Sequence, residues 1–274
     1  MIELPEATVL AMQLEQELKG KKIETAAANA SPHRFAWYEG DPADYPLRFT
    51  GRTVEGAHAY GGKLHLTLSG NAGFMFCDGI NLRFYPQAAA APKKHQLYLG
   101  FDDGSCLVAT VRMYGSLAGY EGKIDSGYDD LARTKPEPLS AAFDTVYFRS
   151  LLEGIKPKLS AKGFLATEQR IPGLGNGVAQ DILFNAGIHP KRPINALSAA
   201  ELDGLYHAVV DTLREMTEQG GRDTETDIYG HSGNYRTLLS KNTYFYPCPR
   251  CGGSIAKEAY LGGSIYYCAH CQPL

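Results

Sequence analysis

Two Cys-x-x-Cys pairs, Cys248-Pro-Arg-Cys251 and Cys268-Ala-His-Cys271, lie near the end of the chain with residues 252–267 between them. No other feature restricts the fold so tightly. Two such knuckles at this spacing can close a tetrahedral Zn–S₄ site. The intervening KEAYLGGSIYY alternates around Gly262–Gly263, as a β-hairpin between two knuckles does. Cysteine fills all four positions and leaves no open coordination site, so the expectation is one structural zinc. An iron–sulfur ligand set or a pair of disulfides would use the same residues, and a reducing cytoplasm disfavours the disulfides. Cys77 and Cys106 sit in apolar strand patterns and read as small buried hydrophobes.

A chain of 274 residues with 44% hydrophobic content can build more than one packed domain. Near the start, Ala7, Leu10, Leu14 and Leu18 recur at helical spacing, with Pro5 in the first turn and Gly20 as a stop. From 21 to 120 the pattern is strand-like. KLHLTL (63–68) alternates, and GFMFCDG (73–79), HQLYLGFDDG (95–104) and SCLVATVRMYG (105–115) are short runs broken by Gly and Asp. The proline-rich TKPEPLS (134–140) is a linker, after which the pattern turns helical. Ser198 to Glu201 is a capping box before an amphipathic helix carrying Leu202, Leu205, Val209, Leu213 and Met216. The expected fold is a multidomain α+β chain. An N-terminal helix and antiparallel β-sandwich occupy 1–133 and a linker 134–143. A helical domain spans 144–245, and a Cys₄ hairpin 246–274.

No apolar run is long enough to cross a membrane, and no basic stretch precedes an apolar one at the start, so a cytoplasmic chain is expected. The 27 Lys+Arg against 30 Asp+Glu give a net charge of −3. Bulk charge therefore does not announce a nucleic-acid partner, and any such binding needs a local patch.

Between two helical stretches lies Pro172-Gly-Leu-Gly-Asn-Gly177, where backbone N–H groups can approach a ligand at a helix N-terminus. Taken alone, this is an ordinary tight connection. Lys162, Gly173-Leu-Gly175-Asn176, DILFNAGIHPKRP (181–193), GGRDTETDIYG (220–230) and the Cys₄ hairpin together resemble the formamidopyrimidine-DNA glycosylase / endonuclease VIII family. The resemblance runs from residue 2 to residue 272. It implies an N-terminal β-sandwich, a helix–two-turn–helix module and a C-terminal zinc finger. It also implies damaged or abasic double-stranded DNA as partner, a monomer, and a place beside the nucleoid.

In that family the amino terminus attacks C1′ of a damaged nucleotide and forms a Schiff base, while the adjacent Glu transfers protons. The corresponding residues are Met1 or Ile2 for the amine, Glu3 for proton transfer and Lys63 for the phosphate backbone near the lesion. Lys63 also reads as a solvated strand-end lysine. Asn176 matches the residue that binds a lesion-flanking phosphate, with Gly175 and Lys162 near it. VRMYG (111–115) resembles the family's wedge loop, in which Arg112 would fill the space opposite the flipped base and Tyr114 would stack. Tyr114 could equally be a packed core residue. Ile80 aligns weakly with another void-filling side chain. SPHRFAWYEGD (31–41), with the only Trp, could line a pocket or be a packed loop.

Two departures stand out. Position 2 is Ile, where the family has Pro, and the zinc-hairpin Arg that clamps phosphate is replaced by Gly263, which offers only a backbone N–H. An active glycosylase and AP lyase is therefore weighed against a weakly catalytic or non-catalytic binder of damaged or branched DNA. A zinc-stabilised protein–protein module explains neither the GLGN turn nor the wedge.

Overall fold

The computed structural model describes residues 2–124 and 127–274, with the Tyr128 side chain also left aside. The chain divides into two compact units, Met1–Asp130 with Gly220–Asn234, and Leu131–Gln219 with Tyr235–Leu274.

In the first unit, helix α1 (Leu4–Leu18) buries Ala7, Leu10, Leu14 and Leu18, the stripe that the sequence spacing draws. It packs beside β3 (Val54–Tyr60) and β4 (Lys63–Leu68). A seven-stranded sheet among the described residues runs β1-β6-β7-β5-β4-β3, with β2 (Ala36–Trp37) added in parallel to β7. Here β1 is Ile23–Ala28, β5 Ala72–Tyr85, β6 Leu97–Phe101 and β7 Cys106–Glu121. The remaining neighbours pair antiparallel.

β4 matches the sequence expectation residue for residue. β5 and β7 do not stop at Gly79 and Gly115, as the glycines suggest. Both run on through a β-bulge between Asp78 and Ile80. A Cβ on Gly79 would collide with the Tyr114 carbonyl, so glycine serves close backbone approach there. The bend lets strands from both ends of the sheet feed one core, shared by Ile23, Leu64, Leu66, Phe74, Phe76, Leu97, Leu99 and Leu107. The outer strands β1 and β3 meet at one end, where Ile23 N donates to Arg52 O (2.8 Å) and Val54 N to Lys21 O (2.9 Å). That closure gives the sandwich expected from the sequence.

The segment 220–234 completes this unit. Ile228 enters the same core, and its carbonyl accepts from Phe84 N at 2.8 Å. Gln13 Nε2 donates to Asp227 at 3.2 Å and Tyr229 Oη to Glu17 at 2.6 Å, both on α1.

The short helices α2 (Tyr45–Phe49), α3 (Gly127–Thr134) and α4 (Thr145–Ser150) precede the longer ones of the second unit. There, α6 (Ala199–Glu218) begins at the Ser198 capping box and buries Leu205, Val209, Leu213 and Met216. It packs on α5 (Asn176–Asn185). The helical stretch before the GLGN turn runs as a π-type turn over Gly163–Thr167. β8 (Ala256–Tyr260) and β9 (Gly263–Tyr267) form the expected hairpin, turning at Leu261 and Gly262, both at positive φ. No helix among the described residues is long and apolar enough to cross a membrane.

Candidate functional site

The start of the chain is held in place. Ile2 is buried, and its N–H donates to the Asp78 carbonyl at 3.0 Å. Asp78 has φ +61°, a conformation that non-glycine residues rarely adopt, and it sits opposite the β7 bulge. Strain at such a point is characteristic of sites where position matters more than stability. Met1 lies outside the described residues.

Glu3 is the N-cap of α1 and forms a reciprocal capping box with Glu6. Glu3 N donates to Glu6 Oε2 at 3.3 Å. Both carboxylates are buried, and a buried cation answers them. Arg222 is 3% exposed and grips Glu6 bidentately, Nε to Oε1 at 2.9 Å and Nη2 to Oε2 at 2.8 Å. Its Nη1 lies 3.5 Å from Glu3 Oε1. Burial alone would lower the guanidinium pKa, but Glu3 and Glu6 outweigh it and push it above its ordinary value. Nothing in the sequence singled out Arg222. The only local hint is a charged residue after the Gly220–Gly221 pair.

Lys63 opens β4, and its charge reaches the Cys77 thiol on β5, next to Asp78. Burial first, then the Asp78 carboxylate, push that thiol up to about 12, so Cys77 stays protonated at neutral pH. Cys106 is fully buried, as its strand pattern implies. Ile2 thus meets Asp78, and Lys63 lies by the neighbouring Cys77. Glu3 is held one residue along the chain. These side chains gather around one bulge.

Arg112, Met113 and Tyr114 lie within β7 at its bulge: the three stand opposite Gly79 alone, between the Val111–Ile80 and Gly115–Asp78 pairs. Arg112 is exposed, Tyr114 half-buried and Ile80 buried.

In the second unit, α5 starts at Asn176 with Gly175 as its N-cap, and Asn176 is exposed. Lys162 differs from the expectation of a cation presented to a ligand. It is 1% exposed, and its Nζ donates to the carbonyls of Tyr260 and Leu261, the latter at 3.3 Å. Burial lowers its pKa. It ties the hairpin turn to the helical module. Gly263 faces Asn176 directly: a Cβ there would meet Asn176 Nδ2 at 2.6 Å. Gln180, one turn along α5, donates to Ser264 O (2.9 Å) and accepts from Tyr266 N (3.1 Å).

The Sγ atoms of Cys248, Cys251, Cys268 and Cys271 all lie within 4.8 Å of one another. Cys248–Cys271 is 3.8 Å and Cys251–Cys268 is 3.5 Å. A tetrahedron with Zn–S bonds of about 2.3 Å has edges of about 3.8 Å. Disulfide sulfurs stand at about 2.05 Å, so neither of these contacts is a disulfide bond. The cluster suits a structural zinc. Phe184, Leu239 and Tyr266 pack behind Cys248 and Cys268. Gln272 accepts from Cys268 N at 3.1 Å and donates to Ile188 O at 2.9 Å.

A bent antiparallel sheet led by a capped helix, joined to a helical module with a glycine-rich turn and a Cys₄ hairpin, is the architecture of a DNA-repair glycosylase. Comparison with known proteins agrees. Family models described as "Formamidopyrimidine-DNA glycosylase N-terminal domain" and "Formamidopyrimidine-DNA glycosylase H2TH domain" match residues 1–149 and 135–227. The formamidopyrimidine-DNA glycosylase of Geobacillus kaustophilus is 31% identical, the alignment covering 99% of this chain and 100% of that one. The enzyme of the same name from Alkalilimnicola ehrlichii is 32% identical over the same shares. Among solved structures, that of Lactococcus lactis Fpg (MutM) with N7-benzyl-Fapy-dG-containing DNA superposes with a TM-score of 0.84. It is 24% identical and covers 99% of this chain and 100% of that one. MutM (Fpg) of Thermus thermophilus superposes at 0.79, with 24% identity and 98% of both chains covered. The chain belongs to the formamidopyrimidine-DNA glycosylase family.

Proposed function

We propose that this protein is a DNA glycosylase and AP lyase of base excision repair, acting in the cytoplasm on damaged or abasic double-stranded DNA through an amine at the start of the chain. One observation carries the reading within the family frame. The backbone nitrogen of Ile2 is held at a strained bulge, beside a buried Glu3 and near Lys63. An α-amine has an ordinary pKa of about 7.7–8, and the positive end of α1 disfavours its protonated form. The neutral amine displaces the base at C1′. A proton delivered to the sugar ring oxygen opens the ring, and an imine results. Glu3 is the proton carrier, and Arg222 fixes its carboxylate. Lys63 takes the phosphate near the lesion.

Asn176 and the amides around Gly175 hold a flanking phosphate. Gly263 contributes to this grip by leaving room for the Asn176 side chain, where the family places an arginine. Arg112 and Tyr114 fill the stack after the nucleotide leaves it. One zinc held by Cys248, Cys251, Cys268 and Cys271 keeps the hairpin folded.

Borohydride trapping on a duplex with an abasic site tests the chemistry. The expected result is a covalent protein–DNA adduct that disappears after N-terminal acetylation. Peptide mapping then locates the modified amine at Met1 or, after its removal, at Ile2. Tight binding without any adduct would replace the enzyme by a lesion binder.

A further inference from the structure

The loop 31–41 carries the chain's only tryptophan, and the mechanism above gives it no task. The structure places it beside the wedge. β2 pairs in parallel with β7, Ala36 opposite Gly115 and Trp37 opposite Ser116, and Gly115 N donates to Phe35 O at 3.0 Å. This pairing sets the Trp37 ring 6.2 Å from that of Tyr114, tilted by 58°. The ring is not packed away. Trp37 is 51% exposed, Phe35 46% and Met113 65%. Grouped large apolar side chains left in water mark an interaction surface. Cations flank it: the Arg34 guanidinium lies 5.2 Å from the Phe35 ring centre, and Arg112 is exposed on the same stretch of β7 as Tyr114.

We infer that Trp37 and Tyr114 together form a stacking platform for an unpaired nucleobase in the strand opposite the lesion. The inference rests on the proposed glycosylase reading. When a damaged nucleotide leaves the duplex, its former partner loses both its pair and part of its stack. That base offers a flat apolar face with a phosphate on either side. Tilted rings let it stack on one and meet the edge of the other, while Arg34 and Arg112 lie within reach of the backbone charges. Aromatic platforms of this kind accept any base, because every base has a π-face. The surface is continuous with Arg112 and Tyr114, which favours DNA over a protein partner.

A single tryptophan makes the test direct. Titrating the full-length protein with a duplex containing a stable abasic analogue should change Trp37 emission as binding saturates. Trp37→Ala should weaken binding to that duplex by about tenfold, and Trp37→Phe should recover most of it. Binding to undamaged duplex, where no base is unpaired, should change less than about twofold. Unmoved emission at saturation, or Trp37→Ala binding the lesion duplex as tightly as the parent, would overturn the inference and leave the glycosylase reading standing. Emission that follows protein concentration alone, with self-association in sedimentation, would assign the patch to a second copy and overturn it too. A parent protein that does not bind the lesion duplex would bring down both readings.

Discussion

Arg222 is the residue on which the amino-terminal site depends most visibly. A buried guanidinium with two buried carboxylates gains little net stability over an apolar substitute, but removing one partner strands the others. Arg222→Ala is expected to lower unfolding stability by about 3–5 kcal/mol in denaturant titrations, because Glu6 and Glu3 would remain buried without their cation. A companion loss of imine trapping in the folded fraction would show that Glu3 had lost its place. Gly263 supports a second expectation. Gly263→Ala adds a methyl that meets Asn176 Nδ2 at 2.6 Å and displaces that exposed amide, so affinity for an abasic duplex should fall, but less far than in Asn176→Ala. Equal affinity of parent and Asn176→Ala would remove Asn176 from the interface. Neither relation can be read from neighbouring letters. Arg222 and Glu6 stand 216 positions apart, and the Gly263–Asn176 contact joins two different elements.

At the level of elements, legibility followed how local each cause is. α6 was readable because its cap, Ser198 with Glu201, and its apolar stripe lie within one helix. β4 was readable because Leu64, Leu66 and Leu68 alternate toward the core. The ends of β5 and β7 were not. Glycine usually marks a turn, yet Gly79 and Gly115 lie on facing strands at a bulge, where missing side chains admit a neighbouring backbone or the Ile80 side chain. Lys162 was misjudged for a similar reason: a lysine beside a glycine-rich turn looks like a ligand, but here its ammonium caps the carbonyls of a hairpin turn. Its substitution is therefore expected to loosen the hairpin first. Hydrogen exchange at residues 256–267 should rise in Lys162→Met, and the zinc should remain bound. The Cys₄ knuckles were readable because metal-ligand spacing is itself a short-range signal. Cys248→Ser should release the zinc and disorder the hairpin, measured by metal content together with exchange.

For the molecule as a whole, the two units rest on different supports. The first is held by an apolar core with aromatic packing, such as Phe49 against Phe74 at 4.5 Å. The second has an apolar core of its own, with Phe148 and Phe164 beside Val178, Ile182, Leu205 and Leu213, and adds at its end a four-cysteine cluster that suits zinc. Chelation should therefore raise exchange across 235–274 and leave the amides of 63–121 protected. Simultaneous loss of protection in both stretches would contradict that division of support. The class of fold was legible from the sequence because strand-rich and helix-rich stretches separate cleanly along the chain. The return of 220–234 was not, because a short polar segment gives no sign of which core its one buried isoleucine will join.

That return leaves its mark on the order of assembly. A ribosome delivers α1 and the strands early, yet the sheet unit lacks Ile228 and the partner of Glu3 and Glu6 until more than two hundred residues have emerged. The nascent amino-terminal half therefore waits for Arg222 and Ile228 until the helical module has been made. No single cut in the gene separates the units: a fragment ending at residue 130 would carry Glu3 and Glu6 without Arg222.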